Sequence, residues 1–274
     1  MENKIYGTVG CGWLGLPMAK KWIQEKKTVH GTTTSKEKIE IIEAEGIHAH
    51  ILDSKRSDEK TKWLSELDFL LLNIPPSSLK EEYGNFMLKI AKQLNPEAKI
   101  IFISSTSVYA NNNQLVTEID ELESTRRSSA YIIKAEEMLQ DFAKDRLTII
   151  RMSGLVGKER NPAKYMHGRK ISGGKEPVNL IHLEDCMGII DFIINQSIWG
   201  EVFNASAPAH PSKEEYYTFA ARQINLEPPT FDNEPQSFKI IDSEKLIKKY
   251  KYQFNYLDPY TFPEINLGDS QHFM

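Results

Sequence analysis

The stretch Lys-Ile-Tyr-Gly-Thr-Val-Gly-Cys-Gly-Trp-Leu-Gly at residues 4–15 decides how the rest of the chain reads. Residues 4–9 form an apolar run of strand length, and residues 14–26 carry helical spacing. Between them Gly10, Gly12 and Gly15 make the pattern G-x-G-x-x-G. At such a turn Gly10 permits the tight bend, Gly12 lets the backbone approach a pyrophosphate, and Gly15 lets helix and strand pack closely. The helix start adds N–H groups and a positive dipole end for phosphate. A glycine turn with no ligand has the same letters. The strand before it and the helix after it favour a dinucleotide loop, to which Trp13 and Leu14 also belong.

Moving outward, short apolar runs alternate with helical patterns as far as residue 152. Strands are expected at 28–33, 48–52, 69–73 (stopped by Pro75 and Pro76), 99–104 and 147–152. Capping-box spacing at Thr34/Glu37 and Ser78/Glu81 predicts helix starts, the second helix running to about residue 94. A further helix is expected at 130–144. Continuous apolar strands separated by helices mean a parallel sheet covered on both faces. Right-handed crossovers then give a Rossmann-type doubly wound α/β sheet.

The alternation breaks after residue 152. Residues 157–177 hold four glycines, two prolines and many charges, which reads as a long loop. Strands at 178–181, 201–204 and 238–241 and helices at 184–195, 211–224 and 243–250 follow, then an aromatic, proline-rich tail from 253. The expected division is a nucleotide-binding domain over 1–155 with 178–205 completing its core. Residues 156–177 and 206–274 then form a small substrate lobe over the carboxyl ends of the strands.

Composition narrows the function classes. The 274 residues are 40% hydrophobic and 26% charged, with a formal net charge of −4. No long cationic block appears, which argues against nucleic acid. No apolar run approaches the roughly 18 residues that span a bilayer. The chain enters a strand within a few residues, leaving no room for a signal peptide. Cys11 and Cys186 are too few and too distant in sequence for a disulfide framework. A cytoplasmic monomer or homodimer with a small-molecule partner and no metal is expected.

Coenzyme preference is read at the end of the second strand, where an NAD site usually places Asp or Glu for the ribose 2′-OH. Here the residues are Gly31, Thr32, Thr33, Thr34, Ser35 and Lys36, with no carboxylate. Hydroxyls and Lys36 suit a 2′-phosphate, so NADP is expected ahead of NAD. The same residues also suit the cap of the next helix.

These motifs, with SSTSVYA at 104–110, IRMSGLVG at 150–157, VNLIHLEDC at 178–186, APAH at 207–210 and LEPP at 226–229, resemble the extended short-chain dehydrogenase/reductase superfamily. The last pair points to its atypical, YeeZ-like group of NAD-dependent epimerases/dehydratases. The resemblance runs through nearly the whole chain. It implies that Asp53 meets the adenine, that Asn73 and Ile74 lie against the cofactor, and that Ser105 is the active-site serine that hydrogen-bonds the substrate oxygen.

The resemblance also implies a Tyr-x-x-x-Lys pair, and here the chain departs from it. None of the eleven tyrosines is followed four residues later by lysine. Tyr131 and Lys134 are one residue short of the pattern; anchored on Lys134, the tyrosine position holds Ala130, and anchored on Tyr131, the lysine position holds Ala135. At about 100° per residue, the shortened spacing swings the lysine about 100° around the helix. Either a helical bulge repairs the pair, or Tyr131 packs in the core and Lys134 is solvated. Other proton sources are Tyr109, which either reaches the cleft or packs at a turn, and His167, which either enters the site or faces water. His182 reads as a packing histidine. Either Glu136 or Glu137 is expected in a surface ion pair.

Arg160, with Lys158, Lys164, Arg169 and Lys170, makes a basic loop that either binds an anionic substrate group or is simply solvated. The lobe is short for a nucleotide-sugar. Cys11 lies near a helix start, where its pKa is open to lowering. The function expected is an NADP(H)-dependent oxidoreductase or epimerase/dehydratase acting on a small carbonyl or hydroxyl compound. The alternative is a non-catalytic NADP(H)-binding or redox-sensing protein.

Overall fold

The computed structural model describes residues 4–53, 61–124, 126–157, 159–232, 234 and 236–263. Lys158 of the basic loop lies outside them. The chain opens with β1 (Ile5–Val9), α1 (Gly15–Gln24), β2 (Thr28–Thr33), α2 (Glu37–Glu43), β3 (His48–Ile51), β4 (Phe69–Leu72), α3 (Tyr83–Ala91) and β5 (Lys99–Ser105). A short β6 (Gln114–Val116) precedes α4 (Arg127–Ala143) and β7 (Leu147–Met152). Then come β8 (Gly154–Val156), α5 (Pro162–Met166), β9 (Lys170–Ile171), β10 (Leu180–His182), α6 (Leu183–Asn195) and β11 (Val202–Ala205). After them come α7 (Lys213–Gln223), β12 (Thr230–Phe231) and β13 (Lys239–Ile241), then a π-helical turn at Lys245–Lys249, where a helix over 243–250 was expected, and a 3₁₀ turn at Pro259–Thr261.

Seven strands form one sheet in the order β11-β7-β5-β4-β1-β2-β3. Pairings β1–β2, β1–β4, β2–β3 and β4–β5 are parallel, with Ile5 opposite Thr28 and Val9 opposite Leu72. The order reverses between β1 and β4, and at that switch point a doubly wound sheet opens a crevice at its strand ends. The Rossmann-type α/β class read from the alternation is the observed one.

Contacts divide the chain into two compact units. The first comprises Met1–Val108, Leu122–Arg151 and Ile193–Val202; the second comprises Tyr109–Glu121, Met152–Phe192 and Phe203–Met274. In the first unit the core is built from the central strands and from Met18, Ala19 and Trp22 of α1, each 1% exposed or less. α3 and α4 pack closely there: a Cβ on Gly84 would stand 2.9 Å from the Met138 Sδ and 3.6 Å from Ala135 backbone. In the second unit Val156, Leu180, Tyr216, Ala220 and Phe262 make a separate apolar cluster. Asp185 pins its C-terminal chain, accepting the N–H of Asn255 at 2.7 Å and of Tyr256 at 3.1 Å and the Tyr252 hydroxyl at 3.2 Å.

Several sequence expectations need correction. Residues 157–177 are not one long loop: they contain α5, capped by the Asn161 side chain on the Ala163 N–H, and β9, paired with β12. Thr34 and Glu37 form no capping box, because α2 starts at Glu37 with Lys36 as N-cap. The helix expected at Ser78 begins later; two 3₁₀ turns at Pro76–Ser78 and Lys80–Glu82 precede α3. A capping box does form at Ser212 and Glu215, ahead of α7. No helix among the described residues is long and apolar enough to cross a membrane.

Candidate functional site

A cleft of about 420 Å³ opens at the carboxyl ends of β1 to β4, entirely within the first unit. That is within the usual range for a small-molecule pocket. Gly10, Gly12, Thr33, Thr34, Asp53 and Ile74 line it, and all six were read from sequence as cofactor residues. Each lies at the end of a strand or on the loop that leaves it, so the topology gathers them.

The three glycines serve different ends. Gly10 has φ 106°, and a Cβ there would stand 2.6 Å from the Ile74 Cγ2. A Cβ on Gly15 would lie 2.1 Å from the Gly10 carbonyl oxygen. The fold itself therefore requires glycine at both positions. At Gly12 a Cβ would meet nothing within 4 Å, and its φ lies outside the left-handed range. No packing demand explains that glycine, and the side chain it lacks would project into open space at the cleft.

The loop is held by its neighbours. The Gly10 N–H donates to the Thr32 hydroxyl at 2.9 Å, and the Cys11 N–H to the Thr32 carbonyl at 2.8 Å. Asn73 donates from Nδ2 to the Gly10 carbonyl at 3.4 Å. Leu14 is 2% exposed, so its side chain belongs to the core and only its backbone is available to a ligand. Trp13 is part-buried beside it. α1 has no acidic residue in its first turn and no side-chain cap, which leaves its positive end uncompensated. Cys11 is not an activated thiol: burial pushes it up to about 11. The local helix start does not outweigh desolvation there.

At the end of β2 the Thr33 hydroxyl accepts the Ser35 N–H at 3.1 Å, and Lys36 is exposed. The Ser35 hydroxyl is turned to the Glu37 carboxylate at 2.5 Å. A carboxylate therefore does stand in this corner, one residue beyond the window in which the sequence showed none.

The tyrosine and lysine read as a possible variant pair do not converge. α4 is a regular α-helix without a bulge, and its core face is Ser129, Ile132, Ala135, Glu136, Leu139 and Ala143. Lys134 is exposed, and Tyr131 donates its hydroxyl to the Glu81 carboxylate at 2.8 Å. That hydrogen bond raises the Tyr131 pKa, the opposite of what a proton-transferring tyrosine needs. Tyr131 is also not the core aromatic of the other reading. Tyr109 is 1% exposed with its hydroxyl on Asn204 Oδ1 at 2.8 Å, a packed side chain and not one open to a cleft.

Ser105 ends β5, part-buried, and its oxygen accepts the Ser107 N–H at 3.1 Å. Among the described residues its hydroxyl proton has no recorded acceptor. In the second unit His182 is buried against Tyr256 and Phe262, and its Nδ1 accepts the Glu184 N–H at 3.2 Å. His167 is exposed. Arg160 is exposed in a tight turn with Gly157, its N–H donating to the Gly157 carbonyl at 2.8 Å.

Sequence reading missed two features. Pro75, Leu79 and Phe86 give the cleft an apolar wall; their signal is only that they follow a strand end. Glu136, one of the two acids of which either was expected in a surface ion pair, is 1% exposed and paired with Arg151, whose Nη2 lies 2.6 Å and Nε 3.1 Å from its oxygens. The Ser104 hydroxyl donates to the same carboxylate. The apolar face of α4 is interrupted by that acid, so hydrophobicity alone did not mark it as inward.

Comparison with known proteins agrees with the fold. The model of the NAD binding domain of 6-phosphogluconate dehydrogenase matches residues 5–125. Protein YeeZ of Escherichia coli (strain K12) is 30% identical over 272 residues, spanning 95% of this chain and 99% of its own. A functionally unknown conserved protein from Silicibacter pomeroyi DSS superposes with TM-score 0.77 at 18% identity, over 96% of this chain and 98% of that one. UDP-glucuronic acid 4-epimerase from Bacillus cereus, in complex with NAD, gives TM-score 0.76 at 15% identity over 96% of each chain.

Proposed function

The chain belongs to the YeeZ-like family of atypical extended short-chain dehydrogenases/reductases, and on that footing we propose that it binds NADP(H) in the cleft at the ends of β1 to β4 and acts as an oxidoreductase or epimerase/dehydratase-like enzyme on a carbonyl or hydroxyl compound. One observation carries the reading: Gly12 is glycine where the fold has no need of it and a phosphate would. The match to an NAD binding domain over residues 5–125 agrees with it.

The residues present fit a dinucleotide. The Gly10–Gly12 backbone and the start of α1 would hold the diphosphate, and Asp53 with the apolar wall would flank the adenosine. The hydroxyls of Thr33 and Thr34, with Lys36, favour a 2′-phosphate, while Glu37 opposes one. On that balance NADPH is expected to bind more tightly than NADH. Bound there, the nicotinamide supplies the oxidising or reducing equivalents. Ser105 would donate its hydroxyl proton to the substrate oxygen and orient it. The proton for the reaction comes from a group other than Tyr131, whose hydroxyl is engaged by Glu81.

The test is calorimetric titration with NADPH and NADH, followed by NADPH oxidation across a carbonyl panel with wild type and Ser105→Ala. Glu37→Gln is expected to raise the NADPH preference. No heat with either nucleotide refutes the reading. A second reading, nucleotide binding without turnover, is favoured by the exposure of Lys134 and the engagement of Tyr131 with Glu81. It is the outcome if nucleotide binds and the panel shows no turnover above buffer.

A further inference from the structure

Between β4 and α3 the chain runs over residues 74–82, with two 3₁₀ turns separated by Leu79. Ile74, Pro75 and Leu79 of this stretch form a wall of the cleft. It has few means of holding its shape. Turns of 3₁₀ type have poor hydrogen-bond geometry. Lys80 also sits at φ 48°, a left-handed conformation disfavoured for a side-chain-bearing residue. Such strain persists only where the surroundings fix it.

Two hydroxyls do so. The buried Tyr83 hydroxyl donates to the Ile74 carbonyl at 2.8 Å, tying the first end of the segment to the start of α3. The Tyr131 hydroxyl donates to Glu81 at 2.8 Å, tying the far end to α4. α4 is a firm post, since Ala135 and Met138, on the side of the helix that carries Tyr131, pack against α3 at Gly84, and the buried Glu136–Arg151 pair holds the helix from within.

We propose that Tyr131 is a positioning residue for nucleotide binding: through Glu81 it latches the 74–82 segment against the dinucleotide cleft, and the latch slows release of the bound nucleotide. The inference rests on the cleft being the nucleotide site. Because Glu81 is an acceptor for an intact phenol, the raised Tyr131 pKa is a consequence of the latch and keeps the proton on the donor.

The experiment measures NADPH affinity and stopped-flow release for wild type, Tyr131→Phe, Glu81→Ala, Glu81→Gln and the Tyr131→Phe/Glu81→Ala pair, with the melting temperature of each free protein. The expected result is release about three- to ten-fold faster in Tyr131→Phe and Glu81→Ala, the range of one net hydrogen bond. The double variant is expected to be no worse than either single, as for partners in one contact. Glu81→Gln, which keeps an acceptor oxygen, is expected to restore most of the wild-type release rate. Melting temperatures of the free variants should match wild type. If wild type binds NADPH and the variants release it at the wild-type rate, or if the two single effects simply add, the latch is wrong while the nucleotide site stands. If wild type binds neither NADPH nor NADH, the nucleotide site itself is wrong and the latch falls with it.

Discussion

Replacing Gly12 by alanine separates what the fold needs from what the ligand needs. The added Cβ would have no protein atom within 4 Å, and the backbone there is not left-handed. The folded state therefore gains no clash, while the unfolded chain loses freedom. Such a substitution is expected to be neutral or to stabilise by about 0.4–1 kcal/mol. A phosphate oxygen must come within about 3 Å of the backbone nitrogens to accept their hydrogen bonds. A methyl group in that space pushes it out of range. Losing two charge-assisted hydrogen bonds at about 1.5 kcal/mol each amounts to about 3 kcal/mol, or roughly a hundred-fold in Kd. Gly15→Ala is the contrast: its Cβ would stand 2.1 Å from the Gly10 carbonyl oxygen, so it should lower stability itself. The assay pairs urea denaturation with calorimetric titration of NADPH. The reasoning is refuted if Gly12→Ala binds NADPH as tightly as wild type, or if it is destabilised as Gly15→Ala is.

Three further outcomes are expected. Glu136→Gln should cost about 3–5 kcal/mol by urea denaturation, because it removes the carboxylate that meets the buried Arg151 guanidinium at 2.6 Å; Glu136→Gln/Arg151→Met should recover a large part of that. Acid should destabilise the first unit through His30 and His50, whose rings meet at 2.9 Å beside His48 and Trp63, with Glu66 the opposing acid. Burial lowers both pKa values, His50 to about 4, so both rings are neutral in either state above about pH 7, and below about 6.5 the unfolded chain takes up protons that the folded one refuses. The cluster is only half-buried, which limits the loss to about 1 kcal/mol per ring, and a melting curve at pH 5 that His50→Phe does not raise towards its pH 7.5 value would contradict this. In the second unit Gly188→Ala would put a Cβ 2.5 Å from the Tyr252 hydroxyl and so disturb its bond to Asp185. Limited proteolysis should then cut the C-terminal chain after Tyr252 faster than in wild type, with the first unit unaffected.

Much of the frame was legible because it rests on local constraints. Strands read at 28–33 and 147–152 are observed as Thr28–Thr33 and Leu147–Met152, since a buried parallel strand needs an unbroken apolar run and its ends are set by turn residues. The glycine loop was legible for the same reason: Gly10 and Gly15 answer steric demands of a strand-to-helix turn made within a few residues. Residues 157–177 were misread because glycine and proline content conceals short elements such as α5 and β9, whose pairing partner β12 lies about sixty residues further on.

Alone, the sequence determined the order of strands and helices, the glycine turn, and the absence of a Tyr-x-x-x-Lys pair. All of these follow from residue type and spacing. Tertiary packing decided which way each side chain faces. The rotation of α4 against α3, set by the close approach at Gly84, turns Glu136 inward to Arg151 and Tyr131 outward to Glu81. Burial, and not the helix dipole, likewise fixes the state of Cys11, and the fold of the β2–α2 corner brings Glu37 back to Ser35. A helix's turn about its own axis depends on contacts with residues tens of positions away, and local spacing carries no record of them.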